Sequence, residues 1–290
     1  MNTMKHGING RMESENMSIE KVIKDMESSA KAESGDYIGD DGLLYCGKCH
    51  TRKQVQVTLP NGNVFKPMCL CKCERERVER EEKEIKARER LLQIERYRDA
   101  GFSDRDLKRC KFSADDGKSP DAIKMAKNYV KHFADMKRTG QGLLLYGGVG
   151  TGKTFIASCI ANALIDECVP CMVTNISRVV NQLSGMFEGK QNYIDSLSKY
   201  SLLIIDDFGM ERATDYVNEI VYNIIDTRYR SGLPLIVTTN LDLATLKNPP
   251  DIEKSRIYSR IMQMCYPLKV EGRDRRQNNV NGDVIRKLYE

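Results

Sequence analysis

The stretch Gly147-Gly148-Val149-Gly150-Thr151-Gly152-Lys153-Thr154 constrains this chain more than any other. It fits G-x-x-x-x-G-K-[ST], a loop whose glycines allow a tight turn with successive N–H groups aimed at phosphate oxygens. Gly142 to Tyr146, just before it, is short and apolar and reads as a buried strand. Phe155 to Leu164, just after it, is apolar at helical spacing. A helix opening behind such a loop adds the positive end of its dipole at the same place. The expected cradle for ATP is Gly147, Gly148, Val149, Gly150, Thr151, Gly152, Lys153, Thr154 and Phe155. Lys153 is expected to reach the β- and γ-phosphates, and the Thr154 hydroxyl to ligate Mg²⁺.

Three more apolar segments follow, two of them ending in polar tips. Cys171 to Thr174 is a short strand, Ser201 to Ile205 runs into Asp206 and Asp207, and Leu233 to Thr239 runs into Asn240. Helical stretches such as Val217 to Arg230 separate them, so the pattern predicts an α/β fold: a parallel sheet with helices on both faces. Ligands in such sheets gather at the C-terminal strand ends, where all these tips fall. Asp206 reads as the acid that orders Mg²⁺, and Asp207 as the group that polarises the attacking water. Asn240 is placed to hold that water or the γ-phosphate. Ser119-Pro120 reads as the cap and first turn of a helix ahead of the loop strand.

The 290 residues leave room for one large domain and a smaller module. A net charge of +5 is too mild to argue by itself for nucleic acid. No run approaches the roughly 18 apolar residues of a membrane span, and the N-terminus lacks the apolar block of a secretory signal. A cytoplasmic location with no membrane partner is therefore expected. In that compartment ten cysteines read as metal ligands rather than disulfides. Five of them lie between Cys46 and Cys73, around a hairpin with Asn61-Gly62 at its turn. The parts match a zinc-ribbon-like module holding structural Zn²⁺. Cys46, Cys49, Cys71 and Cys73 are the favoured ligands, Cys69 competes for a place, and His50 is a remote alternative.

Residues 1–73 thus read as an N-terminal helix from Ser18 (Ile19, Val22, Ile23 and Met26 on one face) plus the cysteine module. Residues 74–112 read as a charged helical linker. Its i,i+4 pairs are Glu76/Arg80, Glu79/Lys83, Glu82/Lys86 and Glu84/Arg88, and its thin apolar seam is Val78, Ile85 and Leu92. Residues 99–118 read as irregular connection, and 113–290 as the nucleotide domain. Arg256 and Arg260 share one helix face in Ser255-Arg256-Ile257-Tyr258-Ser259-Arg260-Ile261. One arginine of Gly272-Arg273-Asp274-Arg275-Arg276 is expected to contact the nucleotide within the same chain.

GGVGTGKT, LLIIDDFG, IVTTN, SRIYSRI and G-x-D-x-R, in this order, resemble an AAA+ ATPase of the DnaC/DnaI type. These are bacterial helicase loaders with phage relatives, and the transposition helpers of the IstB type are similar. The resemblance covers about Ser113 to Tyr289. It implies an ATP-hydrolysing protein that places a replicative DNA helicase on single-stranded DNA, working as a spiral or ring-like homo-oligomer. It implies that the N-terminal module binds the helicase. It gives Asn240 the sensor 1 place, Arg260 the role of arginine finger acting across a subunit boundary, and Arg276 the sensor 2 place. Phe187 and Tyr216 fall where the family places aromatic contacts to single-stranded DNA. Asp207 stands where AAA+ proteins commonly carry Glu, and the shorter side chain suggests slow turnover. The alternative reading is an IstB-like helper that binds duplex DNA and a transposase.

Overall fold

The computed structural model describes residues 33–60, 62–211, 214–249 and 251–275. The helix expected from Ser18, Asn61 of the hairpin turn and Arg276 all lie outside the described residues. The chain divides between Glu89 and Arg90 into two compact units.

Among its described residues the first unit carries two small antiparallel pairs. Strand β1 (Tyr37–Ile38) pairs with β2 (Leu44–Tyr45), and β3 (Val57–Thr58) with β4 (Val64–Phe65). The hairpin strands β3 and β4 are two residues each, with an isolated bridge from Gln54 to Met68 extending the hairpin. Strands two residues long cover little apolar surface. An internal ion pair fills part of the interior: Lys53 Nζ lies 2.8 Å from Asp36 Oδ2, with both side chains almost wholly buried. The Lys53 hydrogen bond holds the Asp36 carboxyl at about 2.

Helix α1 (Lys72–Gly101) carries the charged stretch across the division between the units. Of the four i,i+4 pairs expected on it, Glu82/Lys86 closes, at 3.9 Å, while Arg77 instead pairs with Glu74 and Glu81. Long exposed side chains gain little from any one such geometry, so the choice among partners is nearly free. Ile85 and Leu92 of the expected seam are exposed.

The second unit is a five-stranded sheet of order β6-β7-β8-β5-β9, every neighbour parallel. The strands are β5 (Gly142–Tyr146), β6 (Cys171–Asn175), β7 (Leu202–Phe208), β8 (Leu235–Thr239) and β9 (Cys265–Lys269). Their apolar residues alternate between faces. Leu144, Leu203, Ile205, Leu235 and Val237 pack into one core with helices α5 (Ile176–Ser184), α7 (Asp215–Ser231) and α9 (Ile252–Met264). Leu143, Leu145, Leu202, Ile204 and Ile236 pack into the other, with α2 (Pro120–Lys131) and α4 (Lys153–Asp166). Both faces are therefore dry, as continuous apolar strands require; the short helices α3 (Phe133–Thr139), α6 (Lys190–Leu197) and α8 (Leu243–Lys247) join these elements. Strand β9 was not evident in the sequence, because Pro267 and Lys269 break its apolar run. It is an edge strand, where a proline is tolerated.

Residues read as irregular connection after position 98 are built into this unit. A Cβ on Gly101 would lie 2.2 Å from the Cys171 carbonyl oxygen, so only glycine lets α1 end this close to β6. Phe102 is buried beside it and bridges to Val173. The Asn162 amide donates to the carbonyls of Leu107 and Cys110 at 2.8 and 3.0 Å. Ser119 precedes α2, but its hydroxyl makes no capping bond. It donates instead to the Glu271 carbonyl, 2.9 Å away.

Candidate functional site

The loop between β5 and α4 supplies the cradle. Gly150 and Gly152 take φ values of +72° and +100°, where L side chains are strained. Lys153, buried at the start of α4, donates to the carbonyls of Gly147 (3.0 Å) and Gly148 (2.6 Å) and to Asn240 Oδ1 (2.7 Å). The ammonium group thus joins the loop to the tip of β8. These three acceptors are neutral, and an anion attracts an ammonium group more strongly than they do.

One strand over, Asp206 Oδ1 accepts from Thr154 Oγ1 at 2.8 Å and from Thr238 Oγ1 at 2.6 Å. Burial raises the Asp206 carboxyl above its ordinary value. A hard cation would lower the cost of ionisation, and a hydroxyl beside a carboxylate is the oxygen donor set Mg²⁺ takes. Thr238 also accepts from the Asp207 N–H at 2.9 Å. That bond holds Asp207 at φ +51°, where the β7–β8 register shifts between Ile205 and Phe208. The kink turns consecutive acids to different tasks: Asp206 stays with the hydroxyls, and Asp207 lines the open cleft.

The cleft has a volume of about 620 Å³. Its lining includes Gly150, Lys153, Thr154, Asp207 and Asn240, and also Asp116 and Arg275. The structure therefore brings the loop, Asp207 and Asn240 to a common space, with Asp206 outside the lining and held to it through Thr154. Asp116 carries no motif signal, and Thr238 lies inside IVTTN without a role assigned to it there. Only their position at a strand tip and a helix entry could have pointed to them.

Arg260 lies elsewhere. Its guanidinium is 2.7 Å from Asp226 Oδ1, donates to the Tyr222 hydroxyl at 3.1 Å, and sits over the Tyr222 and Tyr229 rings. Its side chain is 24% exposed. Arg256, one turn earlier, is exposed. Neither lines the cleft of its own chain.

Phe187 projects fully into solvent, 104% exposed. Tyr216 is partly exposed, with Lys190 Nζ 5.6 Å from its ring centroid.

In the first unit the sulfurs of Cys46, Cys49, Cys71 and Cys73 all lie within 4.8 Å of one another. Cys46 and Cys73 are 3.6 Å apart, and Cys71 and Cys73 3.3 Å. Zinc about 2.3 Å from each of four sulfurs places neighbouring sulfurs about 3.8 Å apart. Cys69 bonds instead to the Arg52 carbonyl, and His50 faces the Tyr37 hydroxyl. A hydrogen bond with Thr51 pulls the Cys49 thiol down to about 5, while the neighbouring sulfurs of Cys71 and Cys46 push Cys73 up to about 12. Four sulfurs this close become thiolates together only around a cation, so the set fits a zinc ion.

A model of the family described as IstB-like ATP binding protein matches residues 64–281. The replicative helicase loader DnaI of Bacillus subtilis is 24% identical over 189 residues, 60% of this chain and 61% of that protein. The replicative helicase loader DnaC of Buchnera aphidicola subsp. Schizaphis graminum is 30% identical over 131 residues, 43% of this chain and 52% of that protein. A crystal structure of DnaI matches with a TM-score of 0.50 at 25% identity, over 59% of this chain and 96% of that one. The chain spans 52% to 61% of the length of these curated relatives. Among the described residues no helix is long and apolar enough to cross a membrane.

Proposed function

Because the chain belongs to the family of IstB-like ATP-binding proteins, we propose that it is an AAA+ ATPase that places a replicative helicase on single-stranded DNA. Two relatives named as replicative helicase loaders support this reading. The observation that carries the chemistry is the junction of Lys153 with Asn240 beside that of Thr154 with Asp206. It ties the loop lysine to the tip of β8 and the loop threonine to the β7 acid, which supports a phosphate site beside a metal site.

In this reading the loop amides and Lys153 bind the triphosphate, and Lys153 gives up the Gly147 and Gly148 carbonyls to do so. Thr154 and Asp206 would hold magnesium, which would supply positive charge to offset that of the triphosphate. Asp207 orients the attacking water and takes its proton as the water oxygen bonds to the γ-phosphorus and the ADP oxygen leaves. Asn240 fixes the position of that water. Arg260 acts on the site of a neighbouring subunit in a spiral or ring, which requires it to leave Asp226. Arg276 serves the nucleotide in its own chain. Phe187 and Tyr216 stack on bases of single-stranded DNA, an interaction that tolerates any sequence. Cys46, Cys49, Cys71 and Cys73 hold a structural zinc in a module that docks on the helicase.

The family description itself favours the second reading, an IstB-like helper for a transposase on duplex DNA. Capture of helicase, and not transposase, by the full chain with ATP supports the loader; the reverse result selects the helper. For the site, Lys153→Ala should abolish ATP binding in calorimetric titration. Wild-type affinity in that variant would refute the assignment.

A further inference from the structure

The segment before α2 and the segment after β9 meet over the phosphate loop. Arg275 makes the junction. Its backbone N–H donates to the Gly150 carbonyl at 3.0 Å. Its Nη1 lies 3.0 Å from Asp116 Oδ1, and its Nη2 donates to Ser119 Oγ at 2.8 Å. The Ser119 hydroxyl passes the contact on to the Glu271 carbonyl. Asp116 is shared with Lys118 at 3.3 Å. The guanidinium is close enough to the loop that a Cβ on Gly152 would stand 3.0 Å from it. Its Nε is shielded from solvent and has no partner among the described residues.

The direction of a bound nucleotide follows from the cleft's chemistry. The metal-binding pair Thr154 and Asp206, with Asp207 and Asn240, fixes the γ-phosphate end. The loop amides fix the β-phosphate. The nucleoside must then run toward the remaining lining residues, among them Ala114, Asp116, Lys118 and Arg275. We propose that Arg275, pinned by Asp116 and Ser119, covers the nucleoside end of the cleft, and that the Asp116–Arg275 ion pair is the clasp that closes it. The planar guanidinium suits this place: it offers a face to a purine base. The pair also explains why the Ser119 side chain leaves the cap position, since its hydroxyl is needed to hold the fork. This inference rests on reading the cleft as an ATP site.

The test compares two ligands of the full chain by calorimetry: ATP, which has a nucleoside, and inorganic tripolyphosphate, which has none. Arg275→Ala should weaken ATP about tenfold, the loss of one charge-assisted contact. It should leave tripolyphosphate within about twofold. Asp116→Asn should weaken ATP in the same direction. Arg275→Lys keeps the charge but not the fork, so it should show the same split between the two ligands at smaller size, and it guards against an Ala variant that folds poorly. Unchanged ATP affinity in Arg275→Ala overturns the clasp, as does an equal loss for both ligands, which would make Arg275 a phosphate contact. A folded wild-type chain that binds neither ligand sinks the ATP reading itself, and the clasp with it.

Discussion

Replacing Thr238 with valine keeps the shape of the side chain and removes one buried hydroxyl that serves both acids. The hydroxyl donates to Asp206 at 2.6 Å and accepts from the Asp207 N–H at 2.9 Å. A hydrogen bond to a charged group contributes about 1.5–3 kcal/mol, and one to a backbone N–H about 1 kcal/mol. Burying a methyl in the hydroxyl's place returns about 0.8 kcal/mol. The net loss is therefore about 2 kcal/mol, which lowers the melting midpoint of a unit this size by about 4–8 °C. Function should suffer separately. Asp206 loses one of its two hydroxyl donors, so its carboxyl rises further and more Mg²⁺ is needed to hold it ionised. The acid side of the pH–turnover profile then moves to higher pH. Asp207 loses the bond that keeps it left-handed, and turnover falls about tenfold, the equivalent of 1.4 kcal/mol. Thermal melts and Mg²⁺ titrations of turnover measure these effects. A midpoint within 1 °C of wild type, together with an unaltered Mg²⁺ requirement, would refute the claim that Thr238 organises the pair.

Burial penalises the charge on Asp206 while an amide could still accept from Thr154 and Thr238. A carboxyl raised in this way favours the fold below its unfolded value and opposes it as pH climbs through the folded value. Asp206→Asn should therefore raise the nucleotide-free melting midpoint at pH 7 and abolish Mg²⁺-dependent turnover; a lower midpoint would contradict the burial argument. The buried Arg228 donates to the carbonyls of Tyr200, Ser201 and Pro234, so Arg228→Met strands three acceptors. A loss of about 3 kcal/mol should appear as an earlier denaturant midpoint, and a shift under about 1 kcal/mol would mean that water replaces the guanidinium. The full chain should contain one zinc by elemental analysis. Cys71→Ser should lose it and Cys69→Ser retain it, the opposite pattern excluding the proposed ligand set. Arg260→Ala should reduce stimulated turnover and also cost about 1–2 kcal/mol of stability, because the arginine pairs with Asp226 and two aromatic rings. Wild-type turnover would remove the trans role.

The nucleotide unit was legible where the chemistry is local. Strand, glycine loop and helix are contiguous, so the cradle could be read without knowing the fold. The tips Asp206, Asp207 and Asn240 could be read because parallel strands deliver their C-terminal ends to one edge. The cysteine set was legible through spacing alone. What stayed hidden depends on register or on distant partners. Edge strand β9 has no apolar signature because its outer side needs none. Residues 102–118 look like a connection because their hydrogen bonds are made to Asn162 and β6, far along the chain. Ser119-Pro120 has the composition of a cap, but its hydroxyl is drawn into a contact with residues more than 150 positions away.

The arginines show this limit most clearly, and they carry the functional argument. Sequence spacing can put Arg256 and Arg260 on one helix face, and a motif can put an arginine near a phosphate. It cannot show that Arg260 is already held by Asp226, or Arg275 by Asp116. Each guanidinium is thus partnered by a carboxylate of its own chain. A triphosphate carries more charge than the Asp226 carboxylate, and Coulomb attraction favours that exchange for Arg260 most strongly where water is excluded. The two arginines differ in what a nucleotide asks of them. Arg275 already lines its own cleft and need only keep its partner while a nucleoside enters beneath it. Arg260 faces away from that cleft and must give up Asp226 to serve another. Nucleotide binding to a single subunit should therefore protect the Asp116–Arg275 junction and leave the Asp226–Arg260 pair intact. Amide hydrogen exchange in α9 should slow only when subunits assemble with ATP, and protection there in a monomer would count against a role for Arg260 across a boundary.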